Sequence, residues 1–116
     1  MHEFSLMQSV LSTVEESAHQ AGAERVTVIR LTIGEMSEVI QDAMEFAFEV
    51  LAPETSARDA ELAFTWVTPR SRCRACGHEF THDRYHWSCP ACESLATELV
   101  AGKELYIDAI EVEFPD

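Results

Sequence analysis

The residues best suited to chemistry are four cysteines set as two pairs, Cys73-x-x-Cys76 and Cys89-x-x-Cys92, with twelve residues between the pairs. Each pair can close a tight knuckle that presents two sulfurs to one ion, and two such pairs complete a tetrahedral shell suited to zinc. Gly77 stands just after the first pair, where a positive φ is useful, and Pro90 stiffens the turn of the second. Four thiolates leave no coordination position for water, so the ion is expected to build structure and to hydrolyse nothing. Zinc deaminase chemistry is disfavoured as well. It needs His-x-Glu and Pro-Cys-x-x-Cys, whereas here His78 directly precedes Glu79 and Pro90 follows Cys89. The competing reading is a set of redox dithiols or plain structural thiols. A zinc-thiolate cluster contributes about 10–16 kcal/mol of apparent binding energy, which is large beside the apolar surface of so short a segment. The module is therefore expected to unfold without metal. His78, His82 and His86 invite a second metal site, but their expected place is as exposed polar residues around the ribbon.

A second group of donors lies at the amino terminus, Met1-His2-Glu3. Methionine aminopeptidases prefer a small second residue, so the bulky His2 is expected to leave Met1 in place with a free α-amine. The amine, the His2 amide and the His2 imidazole can close adjacent five- and six-membered chelate rings, and the Glu3 amide or a carboxylate can complete a plane. Nitrogen-rich, square-planar ligation suits Ni(II) or Cu(II). Amines and imidazoles take up protons around neutrality, so binding there weakens as pH falls. Taken alone the motif is weak, because most histidines at this position are simply solvated.

These groups must be carried by a scaffold of 116 residues, enough for one modest core and a small metal-stapled module. Leu6, Met7, Val10, Leu11, Val14, Ala18 and Ala21 recur at three- and four-residue steps, predicting an amphipathic helix from Phe4 to Ala21 that stops at Gly22. Val26 to Ile33 is rich in β-branched residues and reads as a strand ended by Gly34, with Ile29, Leu31 and Ile33 on one face. Helical spacing returns from Ile40 to Leu51, and Pro53 disfavours continuation past Ala52. Leu62, Phe64 and Trp66 alternate with Ala63, Thr65 and Val67 before Pro69, predicting another strand. After Gly102 the alternation resumes, then changes parity between Ala109 and Ile110, suggesting a bulge or bend. The predicted fold is α+β: a small mixed sheet with two helices, an inserted zinc ribbon, and a last strand returning to the first sheet. The expected domains are residues 1–69 with 103–116, and the ribbon at 70–102.

Charge narrows the partners. Twenty-one acidic residues against eight basic ones give a net charge of −13, which opposes phosphate backbones and anionic membrane surfaces and favours cations. Nucleic acid and membranes are not expected partners. Within 70–98 the four arginines are matched by four acids, so the negative charge lies outside the cysteine segment. No run approaches the roughly 18 apolar residues of a membrane span, and Met-His-Glu-Phe has no secretion-signal character, so the cytoplasm is the expected compartment. In that reducing setting paired cysteines are metal ligands before they are disulfides. No nucleophile-base constellation, phosphate-binding glycine loop or open zinc site can be read, so an enzyme is not expected.

Met1-His2-Glu3 before an amphipathic helix, Ile33-Gly34-Glu35-x-Ser37 after a strand, the doubled Cys-x-x-Cys, and Gly102-Lys103-Glu104-Leu105 before a terminal strand together resemble the HypA family of hydrogenase nickel-incorporation proteins. The resemblance runs in order over nearly the whole chain. It implies nickel carried as cargo with His2 as principal ligand, and a structural zinc in the ribbon. It also implies delivery to the large subunit of a [NiFe] hydrogenase beside a HypB-family GTPase, with urease maturation served by some members. Two positions depart from the family pattern: Glu93 stands where glycine is common after the last cysteine, and Ile40 stands where many relatives carry a carboxylate. Asp42, Glu38 or Glu35 would have to substitute there, or else serve as an early-helix charge and solvated loop residues. The alternative function is a zinc-ribbon adaptor for other proteins that carries no nickel. The expected state is monomer or homodimer.

Overall fold

The computed structural model describes residues 2–116, so Met1 lies outside the described residues. It contains α1 (Glu3–Gln20), β1 (Arg25–Gly34), α2 (Gln41–Leu51), a 3-10 turn (Ala52–Glu54), β2 (Glu61–Val67), β3 (Arg70–Cys73), β4 (Glu79–Thr81), β5 (Thr97–Ala101) and β6 (Leu105–Glu113). Two sheets form, ordered β2-β1-β6 and β4-β3-β5. The chain divides into two compact units, residues 1–31 with 39–64 and 106–116, and residues 32–38 with 65–105.

In the first unit, α1 buries Met7, Val10, Leu11, Val14 and Ala18, the stripe its periodicity predicts. Its end follows from Gly22, whose φ of 76° lets Ala23 N–H reach the Ala18 carbonyl and Gly22 N–H that of His19. The α2 helix buries Met44 and Ala47, and Val26, Ile29 and Leu31 of β1 are fully buried. Val26 is thus closed off along with the face that Ile29 and Leu31 share. The last strand does return to the first sheet. Glu24 N–H donates to Glu113 O and Thr27 Oγ1 to Glu111 O, partners that run in opposite directions as in an antiparallel pair. Arg25–Glu113 and Arg30–Glu111 ion pairs lie along the same seam. Strand β6 is continuous, and its exposure pattern shifts parity at Asp108 and Ala109, where the sequence alternation also changes.

In the second unit, β3 pairs antiparallel with both β4 and β5, with a bulge between Arg70 and Ser71 on the β5 side. Arg70 and Arg72 of β3 and Arg74 just beyond it meet acids on the neighbouring strands: Arg70 and Arg72 pair with Glu79, and Arg74 with Glu98. The motifs Gly34-Glu35-x-Ser37 and Gly102-Lys103-Glu104 meet here as a knot of backbone bonds. Gly34 N–H donates to Glu104 O at 2.7 Å, Met36 N–H to Gly102 O at 2.8 Å and Glu35 N–H to Val67 O at 3.0 Å. Ser37 Oγ donates to Gly34 O, and the Glu104 carboxylate accepts from Gly102 N–H. A Cβ on Gly34 would lie 2.0 Å from the Gly102 carbonyl oxygen, inside van der Waals contact with backbone that cannot rotate away.

Two glycine substitutions should therefore differ in kind. Gly34→Ala should cost more than about 3 kcal/mol or prevent folding, because backbone must move. Gly22→Ala meets no atom within 4 Å and should cost only about 1 kcal/mol, the conformational term. Urea denaturation of both variants measures the difference, and similar midpoints would contradict the steric account.

Candidate functional site

The four cysteine sulfurs come together. All lie within 4.8 Å of one another, with Cys73–Cys92 and Cys76–Cys89 sulfurs each 3.6 Å apart. A tetrahedral zinc with bonds near 2.3 Å needs sulfur–sulfur edges of about 3.8 Å, so the donor set fits such an ion. Cys73 and Cys89 are buried, while Cys76 and Cys92 are exposed. Local backbone builds each knuckle. Cys73 N–H donates to His78 O and Gly77 N–H to Cys73 O, and the second pair repeats this with Cys89 to Ser94 and Glu93 to Cys89. The positive φ expected at Gly77 is present, 78°, and Glu93 takes the equivalent 62° without being glycine.

Proton affinities reveal the strain of this assembly. The Cys76 amide, helped by that of Ala75, holds the Cys73 thiol down at about 6. At Cys92 the Ser94 amide pulls the same way, but the Cys73 sulfur, partial desolvation and the other two sulfurs outweigh it and push the thiol up to about 12. Cys76 is raised too: the His78 amide opposes the rise, and the Cys89 sulfur and desolvation drive it. The Cys73 thiolate forms readily while Cys76 and Cys92 resist, a conflict that a divalent cation resolves by replacing the protons.

The ribbon histidines have other partners. His82 is half-buried, with Nε2 2.7 Å from Oγ of the buried Ser71, and His86 Nδ1 lies 2.8 Å from the Asp83 carboxylate. His78 stacks on Phe80 with ring centroids 6.1 Å apart. His82 is thus built into the ribbon more firmly than its sequence surroundings suggest.

His2 occupies the N-cap position of α1 and is exposed. Its carbonyl accepts the first helical hydrogen bond, from Leu6 N–H at 3.0 Å, so the His2 and Glu3 amides lie outside the helical ladder. Among the described residues, the four cysteines are the sole cluster of three or more His, Cys, Asp or Glu donors. No such cluster among the described residues includes His2, Glu3, Glu35, Glu38 or Asp42. Glu3 is engaged elsewhere: its carboxylate accepts the Ile40 N–H at 3.2 Å, and that amide first of all holds its carboxyl below the ordinary value. Ile40 is the N-cap of α2 and lacks a side-chain acceptor, so the contact was invisible across 37 residues of sequence. Phe4 and Phe46 pack edge to face beside His2, 5.9 Å between centroids, around a shallow depression that His2, Glu3, Ser5 and Ala43 also line.

Residues 1–112 match the family described as hydrogenase/urease nickel incorporation, metallochaperone, hypA. A hydrogenase maturation factor HypA from Geobacter metallireducens is 41% identical over 113 residues, covering 97% of this chain and 100% of that protein. One from Dehalococcoides mccartyi is 36% identical over 113 residues, covering 97% and 95%. The solution structure of the Ni metallochaperone HypA from Helicobacter pylori superposes with a TM-score of 0.70 at 26% identity, over 99% of this chain and 100% of that one.

The cysteine geometry carries its own expectation. A strong chelator at neutral pH should abolish amide protection across 70–101 while protection in α1 and α2 persists, as read by hydrogen exchange. Unchanged protection of β3 and β5 after metal removal would show that the ribbon holds itself together without an ion.

Proposed function

This chain belongs to the HypA family of nickel-incorporation metallochaperones, and from that premise we propose that it binds Ni(II) at its amino terminus and hands it to the large subunit of a [NiFe] hydrogenase. The family is one of nickel-incorporation metallochaperones and its relatives are hydrogenase maturation factors; the proposed role is transfer of the ion without covalent chemistry. The proposed partner in transfer is a HypB-family GTPase, with urease maturation factors as further recipients and the cytoplasm as the place of action.

The observation that carries the site is the start of α1. His2 is exposed, and the His2 and Glu3 amides lie outside the helical ladder, the Glu3 amide facing its own carboxylate. Those amides can lose their protons to a metal without breaking a helical bond. The His2 imidazole, these amides and the Met1 amine then supply nitrogen donors of the kind that favour square-planar Ni(II). The Glu3 carboxylate stays on Ile40 and acts as a positioning group, orienting the first turn. The cysteine site, which fits zinc, is coordinatively closed and is proposed to shape the 70–102 ribbon as a separate module. Cargo and structural ion are thereby kept on different donors, nitrogen for one and sulfur for the other. An open site also lets incoming ligands replace the old ones stepwise, as a carrier requires. The adaptor reading draws on Tyr85, Trp87 and Leu95, large side chains exposed on the ribbon, and the same measurement separates it.

In calorimetry with the untagged protein, His2→Ala should weaken Ni(II) uptake by at least about tenfold, whereas Glu3→Gln should keep it within about threefold because its amide oxygen can still accept from Ile40. X-ray absorption of the nickel-loaded protein should show nitrogen and oxygen neighbours without sulfur. Nickel found on the cysteines alone, or equal uptake by His2→Ala, would overturn the assignment and leave the adaptor reading.

A further inference from the structure

The two cysteine knuckles share one hydrogen-bond frame but are not equally well made. In each, the residue after the second cysteine sits in the left-handed region and donates its N–H to the first cysteine's carbonyl: Gly77 to Cys73 at 2.9 Å, Glu93 to Cys89 at 2.8 Å. Glycine takes this conformation freely, whereas the Cβ of an L residue crowds the following carbonyl. Packing does not account for the choice, since a Cβ on Gly77 would meet nothing within 4 Å. The flanks differ as well. The first knuckle is clamped between paired strands, β3 ending at Cys73 and β4 starting at Glu79. The second follows a loop from His82 to Ser88 that belongs to no strand, and only β5 beyond it is paired.

From these two observations we infer that the Cys89–Cys92 arm opens first and that the Cys92 sulfur is the point at which a soft electrophile or competing dithiol gains access to the metal. The inference rests on zinc occupying the four-cysteine site. Opening the second knuckle releases the left-handed strain at Glu93 and breaks no strand pairing, while opening the first relieves nothing and pulls on the β3–β4 pair. Accessibility alone does not dictate this order, because Cys76 and Cys92 are both exposed.

The test uses the full chain shown by elemental analysis to hold one zinc. With limiting iodoacetamide a cysteine sulfur forms a bond to carbon, iodide leaves, and that sulfur's bond to zinc is lost. Peptide mapping by mass spectrometry then ranks the four positions. Cys92 should label roughly five- to tenfold faster than Cys76, the ratio that a left-handed non-glycine residue implies. Glu93→Gly should bring the two rates together, and Gly77→Glu should raise the Cys76 rate in its turn. Equal labelling of Cys76 and Cys92 in the zinc-loaded wild type, or a ratio that Glu93→Gly leaves unchanged, overturns the inference. A purified chain without zinc overturns the metal assignment beneath it, a separate result.

Discussion

Four sulfurs held within 4.8 Å of one another are an electrostatic problem before they are a structure. Deprotonated together they repel, and protonated they make poor neighbours for the amides of Ala75, Cys76, His78 and Ser94 that face them. A divalent ion bound there would remove the conflict by taking the place of the protons. The short strands of the ribbon bury too little to stand alone, β4 being three residues long and β3 four, so such an ion would be their main support.

The amino terminus obeys the opposite logic. Nothing there is closed: His2 is exposed, the first amides are unused by the helix, and the nearest carboxylate is committed to Ile40. The proposed site, a histidine with amides outside the helical ladder, would hold a metal through chelate geometry and release it by ligand substitution. One chain thus carries a donor set suited to permanence and another suited to exchange, separated by the chemistry of sulfur and nitrogen.

Much of this was legible in the sequence because it depends on local periodicity. Both helices and strands β1, β2 and β6 fall where apolar spacing places them, and the cysteine spacing announced the tetrad. The ribbon strands were not legible: β3 reads Arg-Ser-Arg-Cys, with no alternation of large apolar residues, since its inward positions are Ser71 and a metal ligand. Contacts made by backbone were equally hidden. The bond from Ile40 N–H to Glu3 and the crossing of Gly34 over Gly102 use groups that every residue possesses, so their partners carry no side-chain signature. The glycine at each end of that crossing was noticed as a motif, but its reason is steric and appears only when the strands are brought together.

The arginines of the ribbon, Arg70 and Arg72 on Glu79 and Arg74 on Glu98, belong to a segment, 70–98, that is formally neutral inside a strongly acidic chain. The chain's long-range field therefore originates outside the ribbon and is screened beyond a Debye length of about 8–10 Å at physiological salt. Once a partner is in contact, the ribbon offers it paired charges, so fit there depends on shape more than on net charge.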